Sequence, residues 1–177
     1  MKSISQELIS RVIKKRKSAN HKGTYGRLLL IGGSKKYGGA LIMAAEGALN
    51  SGAGLVTVAT DQVNIAALHT RDPEIMALNW DESIELKNLI KSSDVVVCGM
   101  GLGLDDKAQQ ILRLLRDNIT LKQTLILDAS ALDLIGQRND LLPLNSKILI
   151  FTPHQMEWER LSGIKISDQS DELNQVA

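Results

Sequence analysis

Leu28-Leu29-Leu30-Ile31-Gly32-Gly33-Ser34-Lys35-Lys36-Tyr37-Gly38-Gly39-Ala40 is the stretch whose reading decides the fold. An apolar run of strand length meets a glycine-rich turn, which opens onto Ala40-Leu41-Ile42-Met43-Ala44-Ala45. The pattern reads as strand, turn, helix start. Backbone N–H groups at a helix N-terminus lack internal partners and lie at the positive end of the helix dipole. Glycine lets an anionic ligand approach them closely. The same residues also suit a tight turn with no ligand. Neither GxGxxG nor GxxxxGK[ST] is present, so no standard nucleotide fingerprint applies.

Strand-length apolar runs and helical patterns alternate outward from this unit. Leu55–Ala59, Ile75–Leu78, Val95–Cys98, Leu125–Leu127 and Ile148–Phe151 read as strands. Leu41, Ala44, Ala45, Ala48 and Leu49 lie at helical spacing, with Gly52 placed for a C-cap. Asp61, and Asp105 or Asp106, are placed to cap helices. The strands are continuously apolar rather than alternating, which predicts a parallel sheet buried on both faces. Ser167 or Asp168 is placed to start a last helix. A chain that stops inside that pattern, at Ala177, is expected to be incomplete.

Composition narrows the function. A length of 177 residues suffices for one domain with a core, and a net charge of +1 offers no electrostatic case for nucleic acid or a charged membrane. The basic run Lys14-Lys15-Arg16-Lys17 reads as a solvated helix end. Cys98 is the single cysteine, so there is no disulfide framework, and its setting in Val95-Val96-Val97-Cys98 suits a buried apolar group. No signal-peptide core or membrane-length apolar run occurs, which predicts a soluble cytoplasmic protein.

In an open α/β sheet, ligands bind beyond the carboxyl ends of the strands. Four such ends carry glycine or polar residues. They are the opening glycine loop, Gly99-Met100-Gly101-Leu102-Gly103, Asp128-Ala129-Ser130, and Thr152-Pro153-His154-Gln155-Met156-Glu157. Asp128 suits a hydroxyl or metal-bound water, or a helix cap. His154 suits a hydrogen bond to substrate, or a structural role.

Together with His21-Lys22-Gly23-Thr24-Tyr25-Gly26 and Ser51-Gly52-Ala53-Gly54, these blocks resemble the ADP/ATP-dependent NAD(P)H-hydrate dehydratases of the ribokinase-like superfamily. The resemblance runs from about residue 21 to the chain end. It implies a three-layer ribokinase-like α/β fold with a mainly parallel sheet covered by helices, a single domain over 1–177 that lacks the C-terminal part. It implies a repair lyase that dehydrates hydrated NADH or NADPH, with ADP or ATP as co-substrate and Mg2+ as cofactor. The nucleotide phosphorylates the ring hydroxyl and the phosphate then leaves, a better leaving group than hydroxide. A homo-oligomer is also implied.

By motif, Ala40, Gly101 and His154 fall at substrate-binding positions, with Gly39, Asp128 and Glu157 as further candidates. Gly101→Val is expected to exclude ligand while sparing the fold, if Gly101 has no need of a positive φ. No residue is assigned as a metal ligand or as catalytic, because the family's Gly-(Ser/Thr)-Gly-Asp motif, with its expected base, is absent from the 177 residues. Three blocks depart from the family pattern. Gln155-Met156 replaces Pro-Gly, Met100 replaces Pro, and Ser130 replaces Asp. The first is expected to weaken substrate contact near His154, and the others are milder. Two other readings stay open: a related small-molecule kinase, and an inactive dinucleotide-binding or assembly module.

Overall fold

The computed structural model describes residues 4–12, 22–165 and 167. His21 of the first family block, the basic run 14–17 and the helix expected from 168 onward lie outside the described residues. Helix α1 (Gln6–Val12) and a 3-10 turn at Lys22–Tyr25 precede an alternating series. The series runs β1 (Arg27–Ile31), α2 (Gly38–Asn50), β2 (Leu55–Thr60), α3 (Gln62–Arg71), β3 (Met76–Asn79) and α4 (Ser83–Ser92). It continues with β4 (Val95–Cys98), α5 (Asp106–Asn118), β5 (Thr124–Leu127), α6 (Ser130–Gln137), β6 (Ile148–Phe151) and α7 (Gln155–Ser162).

All neighbouring strands pair in parallel, in the order β3-β2-β1-β4-β5-β6. The winding direction reverses between β1 and β4. Connections to both sides leave there, so the loops after these strands separate and open a crevice.

Register divides the strand side chains between two cores. Leu29, Ile31, Val96, Cys98, Leu125 and Leu127 pack with α4, α5 and α6. Leu30, Val56 and Val58 pack with Leu41 and Ala45 of α2 and Leu68 of α3. Helix α5 shows why: Ala108, Ile111, Leu112 and Leu115 recur at helical spacing and all are buried. Full burial of one such leucine contributes roughly 1.5–3 kcal/mol.

Burial on both faces holds at the sheet centre and fails at its sides. Ile148 and Ile150 of β6 share the face of Leu28 and Leu30 but remain exposed, and Met76 at the start of β3 is exposed on the opposite face. Each face is covered over part of its width by the described helices.

Caps explain the helix starts. Asp61 accepts a hydrogen bond from Val63 N at 3.1 Å, and Asp105 accepts from Ala108 N at 3.0 Å. Each cap contributes about 1 kcal/mol. Cys98 is fully buried, and burial pushes its thiol up to about 12, in keeping with an apolar structural role. No described helix is long and apolar enough to cross a membrane.

Candidate functional site

The glycine loop after β1 is held from two sides. Gly33 N donates to Met100 O at 2.9 Å and Ser34 N donates to Gly101 O at 2.6 Å, which ties the loop to the one after β4. From the β2 side, Thr60 Oγ1 (2.8 Å) and Asn64 Nδ2 (2.6 Å) both donate to Gly33 O. Thr60 is fully buried and Asn64 nearly so. Buried polar bonds of this kind fix a loop before any ligand arrives.

Two glycines in these loops are required by sterics. Gly33 has φ +67°, and Gly101 has φ +62° with its α-carbon facing Tyr37, so that a Cβ would collide with the Tyr37 carbonyl oxygen. Gly101 is therefore a packing glycine between two loops, and the expectation that valine there spares the fold does not hold.

Gly39 and Ala40 lie in the first turn of α2. Its N-cap residue, Tyr37, makes no side-chain cap bond. A Cβ added at Gly39 would meet nothing within 4 Å, so the space above it is open. The first turn of α2 thus has no capping side chain from Tyr37.

The other candidates form a second cluster. Asp128 N donates to Cys98 O, and Thr152 Oγ1 donates to Asp128 Oδ1 at 2.7 Å. The β5 and β6 ends are thereby joined. Asp128 does not cap α6; the residue at that N-cap position is Ala129, at φ 46° and ψ −123°. It is the one described non-glycine residue with positive φ. This turn places the Asp128 carbonyl where a Cβ on Gly99 would stand.

His154 caps α7. Its Nδ1 accepts from Met156 N (3.2 Å) and Glu157 N (3.3 Å), while Glu157 Oε2 accepts from His154 N at 2.9 Å. This is a capping box with histidine in the place of serine. Because Nδ1 accepts, the ring proton sits on Nε2, 3.2 Å from Glu157 Oε1. The imidazole is largely exposed and Glu157 is buried. Gln155 and Met156 are the first two residues of this helix, a position that needs no glycine.

Gly39, Ala40 and Gly101 thus gather at β1 and β4, and Asp128, His154 and Glu157 at β5 and β6. Three strand steps separate β1 from β6, and neighbouring strands lie about 4.8 Å apart, giving a span of about 14 Å from the first strand end to the last. That is the scale of an extended dinucleotide.

A cleft of about 610 Å³ opens on the same carboxyl edge, lined in part by Lys35, Lys36, Tyr37, Asp61, Trp80 and Lys107. None of the six motif-assigned residues lines it. Ser34, Gly103 and Ser130 bring the loops after β1, β4 and β5 to its wall. Lys107 pairs with Asp81 across it. Lys35 and Lys36 make no ion pair among the described residues, which leaves two cations beside the start of α2. Trp80 and Asp81 are functional candidates missed in the sequence, although the carboxyl-edge rule applied to β2 and β3 would have found them.

Metal ligation is poorly served. No group of three or more His, Cys, Asp or Glu gathers among the described residues. The donors here do not make a protein cage for a divalent ion.

A family model described as NAD(P)H-hydrate dehydratase matches residues 28–177. The ADP-dependent (S)-NAD(P)H-hydrate dehydratase of Lactiplantibacillus plantarum is 48% identical over 177 residues, covering 100% of this chain and 63% of the relative. A ribokinase-like superfamily protein from Enterococcus faecalis superposes with TM-score 0.91 at 43% identity, covering 98% of this chain and 61% of that one. The ADP/ATP-dependent NAD(P)H-hydrate dehydratase of Bacillus subtilis, co-crystallised with ATP/Mg2+, superposes with TM-score 0.75 at 28% identity, covering 93% and 57%. The chain spans about 60% of the length of these relatives.

Proposed function

This chain belongs to the NAD(P)H-hydrate dehydratase family and has its ribokinase-like fold, and on that premise we propose that its carboxyl edge binds hydrated NADH or NADPH for repair to the reduced cofactor. The observation that carries this reading is the pairing of Lys35 and Lys36, both without ion-pair partners, with the uncapped start of α2 at the sheet's switch point. Two cations and a helix N-terminus without a capping side chain suit the pyrophosphate that every dinucleotide carries.

Residue roles follow from placement. The N–H groups of Gly39 and Ala40 meet a phosphate. Gly101 holds the loop that presents them. His154 offers Nε2–H as a donor at the far end of the site, with Glu157 orienting the ring and Asp128 fixing the adjacent turn through Thr152. Tyr37, 59% exposed at the cleft, offers an aromatic face for a nucleobase or nicotinamide ring.

Bound adenine nucleotide supplies the phosphoryl group that turns the ring hydroxyl into a good leaving group. ADP is the donor favoured by the names of the relatives. Mg2+ is proposed as the companion of the nucleotide phosphates rather than of a protein cage, and no step is assigned to it. The 177 residues contain no Gly-(Ser/Thr)-Gly-Asp, so no base is assigned within them. This absence favours one second reading, a binding half without its own catalytic centre.

Amide chemical-shift mapping tests the proposal. Hydrated NADH should move the signals of Gly38, Gly39 and Ala40 and leave those of Leu55 and Val56, at the opposite edge of the sheet, unchanged. Absence of any shift near Gly39 at millimolar ligand would overturn it.

A further inference from the structure

Asn64 holds a core position on α3. It and Leu68, one turn on, are the buried residues of that helix. A polar side chain on a buried stripe is costly unless its hydrogen bonds are made.

Its partners form a closed triangle. Thr60 Oγ1 donates its one proton to Gly33 O, so toward Asn64 it can only accept. Asn64 Nδ2 donates to both, at 2.6 Å to Gly33 O and 3.0 Å to Thr60 Oγ1. Both amide protons are thereby used, and the orientation of the carboxamide is fixed. The same carboxamide lies against Gly38. A Cβ added there would collide with Oδ1 and Cγ of Asn64. Gly38 has no positive φ, so its backbone does not demand glycine. Asn64 does.

One side chain thus touches the glycine loop at both ends, at Gly33 after β1 and at Gly38 where α2 begins. Asp61 N also donates to Gly33 O, at 3.3 Å, so three donors converge on one carbonyl. They polarise the Gly33–Ser34 peptide, whose N–H makes the 2.6 Å bond to Gly101 O. A hydrogen-bond chain therefore runs from α3 through the glycine loop to the loop after β4. Asn64 itself does not line the cleft.

We propose that Asn64 is a positioning residue. It clamps residues 33–38 as one unit, so that Lys35, Lys36 and the start of α2 meet a ligand together, and it touches no ligand itself. Its effect on affinity rests on the proposed binding of hydrated NADH, whereas its effect on the loop does not.

Two measurements test this, with circular dichroism as the fold control. The first needs no ligand. Asn64→Asp keeps the shape but puts a carboxylate oxygen in place of Nδ2, so Gly33 O loses a donor and meets an acceptor. Amide hydrogen exchange at Ser34 should quicken at least tenfold more than at Leu125 in the core. An equal change at both amides would reduce Asn64 to general stability and overturn the proposal. The second is a double-mutant cycle read by calorimetry with hydrated NADH. Gly38→Ala should weaken binding at least tenfold in the wild type. In the Asn64→Ala background, where the colliding carboxamide is gone, the same change should weaken it less than threefold. Equal losses in the two backgrounds would overturn the proposal. A wild type that binds no hydrated NADH would overturn the proposed substrate instead, and Ser34 exchange alone would then decide the clamp.

Discussion

Gly101 lies against Tyr37, with its α-carbon facing the Tyr37 carbonyl at φ +62°. The loop after β4 and the loop after β1 therefore meet at a point that admits no side chain. Gly101→Val should destabilise the protein by roughly 2 kcal/mol or more, since a β-branched residue in a left-handed conformation is strained even before the collision is counted. Gly39→Val is the contrasting variant, because its Cβ enters open space. It should fold, and it should bind hydrated NADH more weakly than wild type. Chemical denaturation and calorimetry on both variants check this.

His154 has two separable jobs. Nδ1 caps α7, and Nε2 lies 3.2 Å from the buried Glu157 Oε1 on a ring that is itself largely exposed. His154→Ala should cost about 1 kcal/mol of stability through the lost cap. His154→Asn keeps a cap acceptor, and its shorter side chain carries its amide donor short of the Nε2 position, so stability should be near wild type while ligand affinity falls about five- to tenfold, as for one hydrogen bond of about 1 kcal/mol. Equal affinity of His154→Asn and wild type would leave His154 with the cap alone.

Cys98 should be inert while the chain is folded. Its thiol is fully buried and held protonated up to about 12. The folded value is raised above the unfolded value of 9.0, so the native state is favoured fully below pH 9.0 and loses that advantage as pH rises toward about 12. A water-soluble disulfide reagent at about pH 8, below the ordinary thiol value, should label Cys98 only after denaturant is added. Rapid labelling of the native chain would contradict its burial.

The chain alone should show no turnover of hydrated NADH with ADP and magnesium, because no residue of the 177 is assigned as the base. Recovery of reduced-nicotinamide absorbance by purified chain is the readout. Nucleotide-dependent recovery would place the base among these residues.

Much of this fold was legible in the sequence because it is local. Apolar runs 95–98 and 148–151 mark β4 and β6 to the residue, and Asp61 and Asp105 are caps whose chemistry reaches only two or three residues ahead. The site was less legible. Gly101 owes its glycine to Tyr37, which is far away in the chain and adjacent only after β1 pairs with β4. His154 as a cap departs from the usual Ser, Thr, Asp or Asn, so α7 gave no start signal. Trp80 joins the cleft through the placement of β3 beside β2, a matter of strand order that spacing does not encode. The bare half-faces at β6 and β3 follow from which helices cover which strands, again a property of the whole sheet.

The most direct test of the central claim is calorimetric titration of hydrated NADH into the wild-type chain and into the Lys35→Ala/Lys36→Ala variant at low and moderate salt. The account predicts saturable binding by the wild type that weakens with salt. It also predicts at least a tenfold loss in the variant, whose fold is unchanged because both lysines are exposed and make no ion pair among the described residues. Identical affinity in the two proteins, or no binding by the wild type at millimolar ligand, would contradict it.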